Sequence, residues 1–119
     1  MNAQEHLLTK LAEECSEVAQ NATKALCFGL DDKYGDRPTN RERIVEELND
    51  LFAVVDMLVD TGILPSDWLH LPSVLKKKAK VCHFMGYAQN VGTLQLPLGL
   101  KGLELPTTNS EQIDTKLIV

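Results

Sequence analysis

Apolar residues recur at helical spacing in three stretches of this chain. The first stretch, residues 3–27, is followed by Gly29, a common residue just past a helix end. The second begins near residue 40, where Thr39 and Glu42 have capping-box spacing, and ends at Asp60 or Thr61 before Gly62. The third opens at Pro72 and runs to about Ala88, because proline suits the first turn of a helix. The pattern predicts an all-α fold, a bundle of three main helices per chain.

The segments outside these helices are rich in residues that favour turns. Residues 28–40 form a long loop, and residues 65–72 form a connector between the second and third helices. We therefore assign residues 1–88 to one helical domain and residues 89–119 to an irregular C-terminal arm. The arm contains many leucines, which favours packing on a neighbouring surface, with contact to another subunit as one option.

The second helix carries a carboxylate inside its apolar face. With Ile44 at zero on a helical wheel, Glu47 falls at about −60°, between Val54 and Leu58. Asp50 falls near −120°, at the border of the same face. Glu47 and Asp50 thus form an i, i+3 pair of acids that leans toward the core.

The first helix repeats this arrangement. With Leu7 at zero, its apolar arc runs from about 0° to about 140° and includes Cys15, which we expect to be a small core residue. Glu14 falls near −20°, level with apolar positions. A polar strip borders the arc at about −40° to −100° and comprises Asn21, Glu17 and Lys24.

Isolated buried carboxylates are costly, so these acids need a partner. If the two helices pack antiparallel, both acid pairs converge on one point. Two kinds of partner balance that charge: several Arg or Lys side chains, or hard divalent cations. Oxygen-only ligands suit Mg²⁺, with Mn²⁺ as an alternative, better than zinc. The competing interpretation is that each pair lies on a solvated helix face.

Composition restricts the class of function. The net charge of −5 argues against nucleic acid as a partner, since backbone recognition needs a basic surface. Three widely spaced cysteines indicate reduced thiols and favour a cytoplasmic location. The sequence has no apolar run long enough for a membrane helix and no signal-peptide pattern, so no membrane partner is expected.

The acids also form a recognisable motif. Glu14-Cys-Ser-Glu17 and Glu47-Leu-Asn-Asp50 read as E-x-x-E, a spacer of 29 residues and E-x-x-D. With the surrounding EECSEVAQNATKA and EELNDLFAVVDML, residues 5–88 resemble the MazG-like all-α nucleoside triphosphate pyrophosphohydrolases, particularly the small members often encoded by phages and bacteria. The spacer is long compared with the family pattern, and the loop around DDKYGDRPTN accounts for the extra residues. The C-terminal arm has no counterpart in the family.

The resemblance implies a helical bundle completed by oligomerisation, as a homodimer or homotetramer. It implies hydrolysis of (deoxy)nucleoside triphosphates between the α and β phosphates to the monophosphate and pyrophosphate. It also implies a Mg²⁺ site, with these residues as both metal ligands and catalytic groups: Glu14, Glu17, Glu47 and Asp50. If phage-encoded, the protein would act in a host cytoplasm.

Four further residues are candidates for contact with the nucleotide. Asn21 and Lys24 share the strip of the acids, although a surface amide and a solvated lysine explain them equally well. On the third helix Lys77 and Lys78 flank the apolar arc and would suit phosphate, unless they only extend their amines into water. Two alternatives to the main function stay open: a specialised substrate such as phosphoribosyl-ATP or a guanosine alarmone, or a non-catalytic helical oligomer that binds a nucleotide or a protein.

Overall fold

The computed structural model describes residues 1–95 and is all-α over that range. Its helices are α1 (Ala3–Phe28), α2 (Asn40–Asp60) and α3 (Leu71–Asn90), and no strand occurs among the described residues. The prediction of three helices is confirmed. Helix α1 extends one residue beyond its predicted end, to Phe28, and α3 extends beyond both predicted limits, starting at Leu71 and ending at Asn90. Most of the predicted arm lies outside the described residues.

The chain divides into two compact units, each described by itself. Met1–Trp68 contains α1 and α2, and the second unit begins at Leu69 and contains α3. The division falls within the predicted connector. No helix in the described part of the chain is both long enough and apolar enough to cross a membrane.

Local side-chain chemistry fixes where α1 and α2 begin. The Thr39 hydroxyl accepts a hydrogen bond from the backbone N–H of Glu42, and the Glu42 carboxylate accepts one from the Thr39 N–H. The Thr39 hydroxyl also donates to that carboxylate and thereby lowers the pKa of Glu42. The predicted capping box is therefore present. Asn2 and Glu5 form a second box at the start of α1 that the sequence analysis did not identify.

Helices α1 and α2 form an antiparallel hairpin. Near the loop, the Asn40 side chain reaches Gly29 and the Arg43 side chain reaches Asn21. Further away, a carboxylate oxygen of Asp50 lies within 4.8 Å of one of Glu14. Contacts therefore move toward the end of α2 as they move toward the start of α1, which is the antiparallel order that brings the acid pairs together.

Few apolar side chains are fully buried. Leu58 is 0% exposed and Leu7 is 8% exposed, and these two form the buried apolar core of the described residues. The expectation that Cys15 is a core residue is wrong, because Cys15 is exposed. Leu26 is 86% exposed although it lies on the same arc. A two-helix hairpin covers one face of each helix, and here that face lies on the border between the polar strip and the apolar arc, which leaves the far side of the arc exposed.

Asn40 closes the loop between the two helices. It is 8% exposed, and its Nδ2 donates to the carbonyl oxygen of Gly29 at 2.8 Å. Its backbone N–H donates to the carbonyl oxygen of Asp32. One amide side chain thereby joins the end of α1 to the start of α2.

We expect Asn40→Ala to lower the free energy of unfolding by about 1–2 kcal/mol, because it leaves the Gly29 carbonyl without its buried donor. Urea unfolding followed by circular dichroism measures this change. Asn49→Ala is the matched control, since the Asn49 amide is exposed and bonds only within α2. Equal destabilisation by the two substitutions would contradict a role for Asn40 in closing the loop.

Candidate metal centre

The four acids of the motif face one another across the α1–α2 seam. Glu14 and Glu17 lie one turn apart on α1, and Glu47 and Asp50 lie one turn apart on α2. Carboxylate oxygens of Glu14, Glu47 and Asp50 all lie within 4.8 Å of one another. Glu17 lies outside this three-oxygen group but is hydrogen-bonded with Glu14 and Glu47. We call Glu14, Glu17, Glu47 and Asp50 together the acidic cluster.

Glu14, Glu17 and Glu47 are half-buried and Asp50 is exposed, and the pKa values of Glu14 and Glu47 are raised. A hydrogen bond with Glu17 is the main cause that raises the pKa of Glu47, followed by burial and by the charge of Glu17. Burial is the main cause that raises the pKa of Glu14, followed by the charge of Glu17. Both shifts favour the protonated form of the carboxyl group, so the surroundings of Glu14 and Glu47 oppose full ionisation of the cluster.

Two carboxylate oxygens of the cluster are buried without a partner. Oε2 of Glu14 and Oε2 of Glu47 have no hydrogen-bond partner among the described residues. Such oxygens are rare in folded proteins because the lost hydration is not replaced. The arginine or lysine partners considered from the sequence are not found within residues 1–95, where the ion pairs are Lys10–Glu13 and Arg41–Asp31. The unpaired oxygens and the donor set both fit a hard cation.

The predicted substrate-binding residues fall in different surroundings. Asn21 is 3% exposed, so the alternative of a surface amide is wrong. Its Nδ2 donates to the carbonyl oxygen of Glu17 at 3.0 Å, and its Oδ1 accepts from Nε of Arg43 at 3.3 Å. Lys24 is exposed on α1, and its contact with a nucleotide stays a prediction.

The two lysines singled out on α3 belong to the second unit. Lys77 and Lys78 are both exposed. Lys77 also borders a shallow apolar groove lined by Phe84 and Leu94. That Lys77 or Lys78 contacts a phosphate of the nucleotide stays a prediction.

Arg43 was missed by the sequence analysis, although a signal for it exists. It precedes Glu47 by four residues, one helical turn, and so lies on the same face of α2. On the wheel it falls at about −100°, between Glu47 and Asp50. The sequence alone therefore shows that a cationic residue, Arg43, lies on the same arc of α2 as the motif acids Glu47 and Asp50.

Comparison of the chain with protein-family models, curated proteins and solved structures found no match. The likeness to the MazG-like enzymes therefore rests on the motif and its surroundings in the sequence.

The pKa shifts predict how pH affects the metal-free protein. A carboxyl whose pKa is higher in the folded state favours folding when protonated, and this contribution is lost as the pH rises above the ordinary value of 4.5. We therefore expect Glu47→Gln, measured in the presence of a chelator, to melt at a higher temperature than the wild type near about pH 7. The difference should shrink as the pH falls toward 4.5.

Glu46→Gln serves as the control, because Glu46 is the exposed neighbour of Glu47 and takes no part in the cluster. Thermal melts at a series of pH values give the comparison. A stability difference for Glu47→Gln that is the same at every pH would show that the Glu47 carboxylate is not strained by its neighbours.

Proposed function

We propose that this protein is a Mg²⁺-dependent pyrophosphohydrolase of (deoxy)nucleoside triphosphates, related to the MazG-like enzymes, that yields the monophosphate and pyrophosphate. One observation carries the proposal: three motif carboxylates meet within 4.8 Å, and two of them keep a buried oxygen without a partner. The buried oxygens without a partner distinguish the cluster from a solvated acidic surface.

The donor set favours Mg²⁺, with Mn²⁺ as an alternative. The three-oxygen group consists of Glu14, Glu47 and Asp50, so its donors are all carboxylate oxygens. Ligands of one octahedral Mg²⁺ lie about 2.1 Å from the ion and hence up to about 4.2 Å apart. An oxygen group within 4.8 Å needs only small side-chain movements to reach that spacing. Glu17, which is bonded to Glu14 and Glu47, is the proposed fourth ligand or its immediate support.

An acidic site suits a nucleotide only when cations intervene, because phosphate and carboxylate repel each other. Bound Mg²⁺ would supply charge neutralisation of the phosphates and a water of lowered pKa. The chain holds the carboxylates of the cluster in their orientation. The carboxylate that is least engaged as a metal ligand would accept the proton of the attacking water. Lys24, Lys77 and Lys78 are the proposed contacts for the nucleotide outside the cluster.

We also propose that the chain assembles as a homodimer or homotetramer. Exposed apolar side chains form a row on α2, with Val45 55%, Leu48 48% and Phe52 59% exposed. A second row on α1 comprises Leu8, Cys15 and Leu26. Contiguous exposed apolar surface of this kind marks interfaces in soluble proteins.

The two rows lie on one side of the hairpin. The α1 row falls about 80° to 140° in the positive sense from the buried side chains of α1, and the α2 row is displaced from those of α2 in the same sense by about 80° to 140°. In antiparallel helices, equal senses of rotation from the shared seam lead to the same side. The rows therefore make one face, and a second copy of the chain with the same face is the proposed cover.

We expect pyrophosphate and monophosphate to appear when the protein is incubated with Mg²⁺ and a panel of ribo- and deoxyribonucleoside triphosphates. Phosphoribosyl-ATP and a guanosine tetraphosphate belong in the panel, because they identify a specialised substrate. Glu47→Gln should abolish turnover, while Glu46→Gln should keep it, since only Glu47 lies in the cluster. Turnover by Glu47→Gln at the wild-type rate would refute the site, and no product from any substrate would favour the non-catalytic alternative.

Light scattering after size exclusion should give a mass at least twice the 13.2 kDa of one chain. Phe52→Glu should shift the protein toward the monomer, because it places a charge within the exposed apolar face. Tyr34→Glu is the matched control, since Tyr34 is an 82% exposed aromatic residue of the loop. A monomer at micromolar wild-type protein would overturn the proposed assembly.

A further inference from the structure

Arg43 lies beside the acidic cluster without pairing to it. It is half-buried on α2, one turn before Glu47 on the same face. Within residues 1–95 no ion pair joins it to a carboxylate, although Glu47 follows it by one turn of α2. Its Nε donates a hydrogen bond instead to Oδ1 of Asn21 on α1, at 3.3 Å.

Asn21 is placed so that it can hold the arginine in this position. It is 3% exposed, and its Nδ2 donates to the backbone carbonyl of Glu17 at 3.0 Å. A carbonyl can only accept, so the NH₂ group must face Glu17, and Oδ1 must face Arg43. The buried amide thus links the backbone of one cluster acid to the guanidinium of the opposite helix.

The hydrogen bond to Asn21 uses only the Nε–H donor of the Arg43 guanidinium. With Nε bonded to Asn21, the two terminal Nη groups have no hydrogen-bond partner within the described residues. These groups form a planar pair of donors whose geometry matches two oxygens of a phosphate or a carboxylate. No carboxylate of the described residues forms an ion pair with these groups, so they are available to an anion brought by a ligand.

We infer that Arg43 binds a phosphate group of the nucleotide held at the acidic cluster, and that Asn21 is the positioning residue that orients it. This inference rests on the proposed function and names a substrate contact within it. It also revises the role predicted for Asn21, whose amide serves the arginine and the backbone of Glu17 rather than the nucleotide itself.

The competing explanation is that Arg43 only ties α1 to α2. In that case its loss would lower the melting temperature and leave ligand affinity per folded molecule unchanged. A phosphate contact predicts that ligand affinity per folded molecule falls, whatever the change in melting temperature. The two explanations are therefore separated by a binding measurement on folded protein, independent of turnover.

The test is calorimetric titration of an α,β-methylene nucleoside triphosphate, whose α–β bridge resists hydrolysis, in the presence of Mg²⁺. Arg43→Gln should weaken binding about ten- to a hundredfold, the cost of losing charge-assisted hydrogen bonds. Arg43→Lys should recover only part of this loss, because lysine keeps the charge without the paired donors. Arg41→Gln is the matched control, since Arg41 is exposed on α2 and pairs with Asp31.

Asn21→Ala tests the positioning role through a double-substitution cycle. It should weaken binding of the analogue in the wild type but have little further effect in the Arg43→Gln background, because its influence acts through the arginine. Equal effects in both backgrounds would overturn the positioning role of Asn21. Circular dichroism on each variant confirms that the titrated protein is folded.

Melting with Mg²⁺ alone separates failure of this inference from failure of the proposed function. Preferential binding of Mg²⁺ to the folded state should raise the melting temperature equally in the wild type and in Arg43→Gln. If both respond and bind the analogue equally well, the assignment of Arg43 is wrong and the metal site stands. If the wild type responds neither to Mg²⁺ nor to the analogue, the proposed function fails, and the role of Arg43 fails with it.

Discussion

The structure of the hairpin depends on the way carboxylates meet across the seam between α1 and α2. Glu17 and Glu47 are hydrogen-bonded across it, and Glu14 and Glu47 each keep a buried oxygen without a partner. Like charges at this spacing oppose packing of the two helices. Together with burial and the hydrogen bond to Glu17, this repulsion raises the pKa values of Glu14 and Glu47, so the hairpin loses stability as the pH rises. Such local strain is typical of sites that await a ligand.

The cluster exists only while the two helices keep their register. An i, i+3 pair presents both acids on one face, so a slip by one residue along the seam would turn one helix's acids away from the other's. The capping box of Thr39 and the bond from Asn40 to Gly29 fix the start of α2 against the end of α1. Two turns further from the loop on α1, the contact between Asn21 and Arg43 fixes the register again. Several polar contacts thus hold in place a seam that its own charges oppose.

Much of the hairpin could be predicted from the sequence, because its signals are local. The capping residues and Gly29 set the helix limits, and the wheel placed Glu47 on an inward face. The exposure of Cys15 and the burial of Asn21 could not be read in this way. A wheel gives directions about one helix axis but does not say which part of an apolar arc the neighbouring helix covers. The two members of the Arg43–Asn21 contact also lie on different helices, so neither helix pattern displays it.

The exposed apolar face and the acidic seam are two consequences of one rotation. Turning the acids of α1 and α2 into the seam moves the centre of each apolar arc away from it, and the antiparallel arrangement sends both arcs to the same side. Leu26 and Phe52 are therefore exposed for the same reason that Glu14 and Glu47 are half-buried. Rotating the helices to bury the leucines would carry the carboxylates out into water and separate them. A chain built in this way holds its acids together only by leaving its apolar face to another molecule, so the proposed metal site and the proposed self-association have a common physical origin.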